Sequence, residues 1–141
     1  MYWGSDWLWG LPVIVITITL HICVLVLIER ILIRELMQRE RHGGYRISAI
    51  TIVALFAITL HACEAFVWAL LYVLLKATPD ARDAVLYSLS SITAFGHAAL
   101  YLDKRWQLLG AMEAMNGVIL FGLTTAFLFS AVQLARPDRR D

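Results

Sequence analysis

Charge is scarce in this 141-residue chain. Asp, Glu, Lys and Arg make up 16% of it, hydrophobic residues 60%, and the net charge is +1. Twelve basic residues against eleven acidic ones leave no surplus to neutralise a polyphosphate, so nothing marks a nucleic-acid-binding protein. Cysteine is scarcer still. Cys23 and Cys63 both fall in apolar runs, which implies no disulfide framework and matches no standard zinc spacing. The N-terminus lacks a basic stretch and a small-residue cleavage site, so no cleavable signal peptide is expected. No nucleotide- or calcium-binding domain is recognisable either, and neither an enzyme active site nor a soluble substrate is expected.

What fills the chain is apolar sequence. A single globular core of this size cannot hide so much of it, and the bilayer is the expected solvent. Three runs match the ~20 residues needed to cross the hydrocarbon: about 11–28, about 47–75 and about 106–135. Tyr2, Trp3, Trp7 and Trp9 precede the first as an interfacial aromatic belt. A polar segment with Arg30, Arg34, Arg39, Arg41 and Arg46 follows it, and Gly43–Gly44 is expected to break any helix leaving the membrane. Lys76 to Asp80 ends the second run, since Pro79 cannot continue a helix and Asp80 can cap a short helix from Ala81 to Thr93. Asp83 suits the positive end of that helix. Residues 95–105 read as irregular, and 136–140 as a basic tail.

The arginine segment and tail hold eight of the twelve basic residues. The positive-inside rule therefore places both in the cytoplasm and the N-terminus outside. Arginines beside lipid headgroups are a further possibility there. Between the last two runs, Tyr87 to Leu100 is too short to cross a bilayer and too apolar for a free loop. Backbone of that kind at membrane depth requires burial in protein or a water-filled cavity, which predicts a re-entrant segment.

Polar groups inside the runs need partners. His61 and Glu64 lie one helical turn apart on one face, continued by Trp68 and Tyr72. A carboxylate near the midplane costs about 2.5–3.5 kcal/mol on insertion scales. Two readings stay open: a buried hydrogen-bond network joining spans or subunits, or a proton or metal site with His21, Cys23 and Cys63 as further ligands. A faint repeat, I-T-L-H-x-C, occurs at 18–23 and again at 58–63, and His21 and His61 together raise a metal- or haem-binding alternative. In the third run Gly110, Gly117 and Gly122 suit close helix packing, with Gly117 and Gly122 the candidate positions for a gating bend. Asn116, Thr124 and Thr125 are candidates for hydrated, pore-facing groups.

From about Ile47 onward the words of the sequence carry a resemblance. They are His61-Ala-Cys-Glu64, Trp68-Ala-Leu-Leu-Tyr72, Leu86-Tyr-Ser-Leu89, Thr93-Ala-Phe-Gly96, Trp106-Gln-Leu-Leu-Gly110 and Glu113-Ala-Met-Asn-Gly117-Val-Ile-Leu-Phe-Gly122. In this order the chain resembles the bacterial pore-loop potassium channels of two-pore-domain-like type, over about two-thirds of its length. The resemblance implies an all-α membrane protein of three transmembrane helices plus a re-entrant pore helix and filter loop, assembled as a homotetramer in a bacterial inner membrane. It divides the chain into an extra N-terminal helix with its arginine loop (1–46), the pore module (47–135) and a basic tail (136–141). It places the filter at Thr93, Ala94, Phe95, Gly96, His97 and Ala98, with potassium or sodium as the permeant ion.

The filter wording departs from T-x-G-Y-G-D at four positions: Ala94, His97, Ala98 and Ala99. A potassium filter replaces the ion's water with successive carbonyls, in backbone conformations that cost a non-glycine residue roughly 1–2 kcal/mol. Weak or altered potassium selectivity is the expectation. His97 reads either as a ring of four imidazoles that charges in mild acid or as a wedge hydrogen-bonded behind the filter. The chain is thus expected to be a passive cation channel, with a non-conducting channel-derived membrane subunit as the alternative.

Overall fold

A computed structural model describes residues 3–33, 43–96 and 100–134. Among these the chain is helical and has no strand. Helix α1 runs over Trp3–Ile28 and continues as a π-helical turn over Glu29–Ile33. Helix α2 spans Gly43–Leu74, the short helix α3 Ala81–Ile92, and α4 Gln107–Leu134 after a 3-10 turn at Lys104–Trp106. The first two long helices begin earlier than the hydropathy runs suggest. Most of the tryptophan belt is wound into α1, and α2 starts at the glycine pair itself.

Among the described residues three helices are long and apolar enough to cross a membrane: Gly4–Ile31, Ile47–Leu74 and Lys104–Gln133. At ~1.5 Å per residue each reaches about 40 Å, more than the ~30 Å of hydrocarbon. Their outer faces carry exposed Leu, Ile, Val and Phe side chains along much of their length. That much bare apolar surface is stable only against lipid or other protein. The chain is read on this basis as a membrane protein.

Contacts set the directions. Thr17 meets Asn116 and His21 meets Thr124, so α1 and α4 run parallel. Tyr72 meets Glu113 and His61 meets Thr124, so α2 runs antiparallel to both. The main core lies between α2, α3 and α4, around Trp68, Tyr72, Ile92, Leu109, Met112 and Leu120. A smaller cluster of Val53 and Ala131, backed by Ile28, Phe127 and Leu128, closes the opposite end.

The short helix gives the fold its character. Its start is fixed as the sequence suggests, with Asp80 Oδ1 accepting the Asp83 N–H at 2.8 Å. Asp103 N–H then donates to the Ala77 carbonyl at 2.9 Å. The segment from 77 to 103 therefore leaves and returns at the same end of the bundle. Within it α3 descends between α2 and α4. Ser88 reaches the Ala65 carbonyl (2.6 Å), Ser91 the Gly110 carbonyl (2.9 Å), and the Ile92 carbonyl lies against Gly117. Gly117 is about 15 Å along α4 from Gln107, roughly half the hydrocarbon thickness.

Past α3 the chain turns through two left-handed residues, Ala94 (φ 54) and Gly96 (φ 72). Phe95 and Gly96 N–H groups both donate to the Ser90 carbonyl, at 3.0 and 3.2 Å. Ala94 is thus a non-glycine residue held in the left-handed region. His97, Ala98 and Ala99 lie outside the described residues.

Gly117 has no room for a side chain, because the atom it would meet is the backbone carbonyl of Ile92. Gly122 has open space around it. Gly117→Ala should lower stability by about 1–3 kcal/mol through overpacking, while Gly122→Ala should be neutral or slightly stabilising. Unfolding in detergent measures both, and equal effects at the two positions would refute this packing.

Candidate functional site

Two buried polar clusters bind the helices together, one near the end of α3 and one deeper between α1, α2 and α4. The first centres on Glu113, which is fully buried on α4. Tyr72 on α2 donates its hydroxyl to Glu113 Oε2 at 2.6 Å, and Ser88 on α3 makes a short contact with Oε1. Tyr87 stands edge-on to Tyr72, ring centroids 5.5 Å apart at 87°, with its hydroxyl against Gly110. A larger residue at 110 would displace it.

Proton counting favours a neutral Glu113. Ser88 has one hydroxyl proton, yet its oxygen lies within bonding distance of two acceptors, the Ala65 carbonyl and the Glu113 carboxyl. An ionised carboxylate has no proton to give. The count closes with Glu113 as the neutral acid: it donates to Ser88, Ser88 donates to Ala65, and Tyr72 donates to the second oxygen. A neutral carboxyl also avoids burying a charge at membrane depth.

The second cluster contains the sequence-predicted pair His61 and Glu64, and adds two groups to it. His21 Nδ1 lies 2.8 Å from Glu64 Oε1. His21 Nε2 and His61 Nε2 each lie 3.0 Å from the hydroxyl of Thr124. His61 Nδ1 faces Glu64 Oε2 at 3.4 Å, too long for a good hydrogen bond, and neither atom has another partner. His21 and Glu64 are fully buried, His61 and Thr124 nearly so. Phe121 stacks on His61 at 4.2 Å and 14°. One turn away along α1 and about two along α4, Asn116 donates to the Thr17 hydroxyl at 2.8 Å and repeats the link between α4 and α1.

Cys23 and Cys63 are exposed and stand outside this cluster, so they are not further ligands. His21, His61 and Glu64 are the described His, Cys, Asp or Glu side chains close enough together to share a metal ion, their ligand atoms lying within 4.8 Å of one another. The donor set nevertheless fits a metal poorly. Both nitrogens of His21 are engaged, which leaves two open atoms where a zinc site uses three or four protein ligands. A divalent ion on one carboxylate would also leave a net positive charge inside the membrane. Haem fits no better. The two imidazoles point Nε2 at a single hydroxyl, their centroids 5.2 Å apart, and Phe121 covers one of them.

Asn116 and Thr124 were expected to face outward into a pore; instead they turn inward to α1 and to the histidines. Only Thr125 of the three is exposed, donating to the Phe121 carbonyl at 2.8 Å. Of the residues expected to form the filter, Thr93 donates to the Leu89 carbonyl at 2.7 Å, and Thr93, Ala94, Phe95 and Gly96 are all exposed. Glu113 is the group that the sequence reading undervalued. The insertion cost that singled out Glu64 applies equally to it. No protein-family model, curated protein or solved structure matches this chain.

With Glu113 neutral, Glu113→Gln should keep stability within about 0.5 kcal/mol, the amide donating to Ser88 in place of the acid. Tyr72→Phe should cost about 1–3 kcal/mol by leaving a buried acceptor bare. Denaturant titration in detergent distinguishes them. A Gln variant as unstable as the Phe variant would contradict the neutral acid.

Proposed function

We propose that this chain is a pore-loop cation channel subunit in which α3 is the pore helix, residues 93–98 form the constriction and α4 is the inner helix. The observation that carries this reading is the half-crossing of α3. A helix that enters from one end, stops near mid-depth and returns to the same end is the means by which channels present helix ends and loop backbone to an ion. Its negative C-terminal end favours a cation.

Self-assembly completes the reading. Phe95 is 84% exposed at the inner tip of this segment. Beside it an open cavity of about 420 Å³ is lined by Ser90, Ser91, Ala94, Gly96, Ala111 and Ala114, among others. Further copies of the chain around an axis, four by the resemblance, would cover this face and surround a pore. The arginine-rich segment and the tail then lie in the cytoplasm, with the constriction towards the outside. Replacement of filter residues at Ala94, His97 and Ala98 predicts weak discrimination between potassium and sodium.

Purified protein in planar bilayers under bi-ionic potassium and sodium gradients should pass cation current with a reversal potential near zero. Absence of current or ion flux at every pH and potential would overturn the channel reading in favour of a non-conducting membrane subunit.

A further inference from the structure

The deeper cluster is a closed ring. Glu64 Oε1 meets His21 Nδ1 (2.8 Å), His21 Nε2 meets Thr124 Oγ1 (3.0 Å), Thr124 Oγ1 meets His61 Nε2 (3.0 Å), and His61 Nδ1 returns to Glu64 Oε2 (3.4 Å). Each contact needs one proton to be a hydrogen bond. A neutral imidazole supplies one, a hydroxyl one and a carboxylate none. With both histidines neutral and Glu64 ionised, the ring holds three protons for four contacts.

The shortfall has a location. Three contacts have hydrogen-bond length. The fourth is longer, and its two atoms are the buried His61 Nδ1 and Glu64 Oε2 that lack any partner. There a nitrogen lone pair and an oxygen lone pair face each other, in the interior of a membrane protein, beside an uncompensated carboxylate. One added proton removes both problems: all four contacts are satisfied, and the net charge of the ring becomes zero.

We propose that Glu64, His21, Thr124 and His61 form a binding site for a single proton, held between His61 and Glu64. The groups facing it are few. From α1 comes His21, from α2 His61 and Glu64, and from α4 the Thr124 hydroxyl and the Phe121 ring. Cys23 and Cys63 are exposed and outside it. Glu113, the next buried carboxyl along α4, is occupied by Ser88 and Tyr72. No lysine or arginine among the described residues is bonded to the ring. The added hydrogen bond lies within α2, between His61 and Glu64, while the contacts that join α1 and α4 to α2 already have their protons. The site does not depend on conduction.

The test uses the full chain in lipid nanodiscs with ¹⁵N-labelled histidine. His42→Gln and His97→Gln variants remove the other two histidines from the spectrum. In acid, Nδ1 of both His21 and His61 should carry a proton. In alkaline samples His61 should lack its Nδ1 proton while His21 keeps the one it donates to Glu64. A ring that holds this proton more tightly than an unfolded histidine does makes the melting temperature fall as pH rises through the change. Glu64→Gln supplies the missing proton from its own amide and should flatten that dependence. The same His61 Nδ1 protonation in acid and alkaline samples of the wild-type protein would overturn the proposal, whether or not the variant folds. So would a Glu64→Gln melting profile that still tracks pH as the wild type does. Stoichiometric zinc binding that displaces the His61 proton would also overturn it, in favour of a metal.

Discussion

The carboxyl of Glu113 is the contact on which the architecture turns. It joins α2 through Tyr72 and α3 through Ser88, from a position on α4, inside the hydrocarbon. A twelve-residue helix is too short to hold itself in place there; isolated helices of that length are marginal even in water. Apolar packing alone does not fix its register either, because lipid is as apolar as the neighbouring side chains. Directional bonds do. Ser88 to Ala65, Ser91 to Gly110 and the Glu113 contacts specify how deep α3 sits. The irregular segment beyond it inherits that depth.

The same reasoning explains how α1 is attached. Its outer faces are uniformly apolar, and nothing in their hydropathy would select one rotation about its axis. Thr17 and His21, one turn apart, provide the selection: one meets Asn116, the other Glu64 and Thr124. Gly10, where α1 comes close to Met112, permits the approach. Helix α1 is therefore held against both other spans by polar bonds, in a solvent where each such bond is hard to replace.

Much of this was readable before any coordinates. Runs of apolar residues gave the three long helices, and Asp80 with Pro79 gave the start of the short one. Insertion cost drew attention to Glu64, and helical spacing paired it with His61. The I-T-L-H-x-C echo pointed to the histidines that do meet, although its cysteines take no part. What stayed hidden was direction. Asn116 and Thr124 lie on a helix apolar nearly all round, where sequence offers no way to tell a pore-facing hydroxyl from one turned to a neighbour. Gly117 was ambiguous for a similar reason. Flexibility and close packing call for the same residue, and the difference appears only when Ile92 is seen against it.

That contact has a mechanical meaning. A helix whose middle touches the backbone of another element is not free to flex in every direction. At Gly117 the carbonyl of Ile92 acts as a stop on one side of α4. The lower half of the helix can swing away from α3, but swinging towards it forces the last turn of α3 to move as well. Motion at the C-terminal end of α4 and the position of Thr93 to Gly96 are in this way geared together through one peptide group.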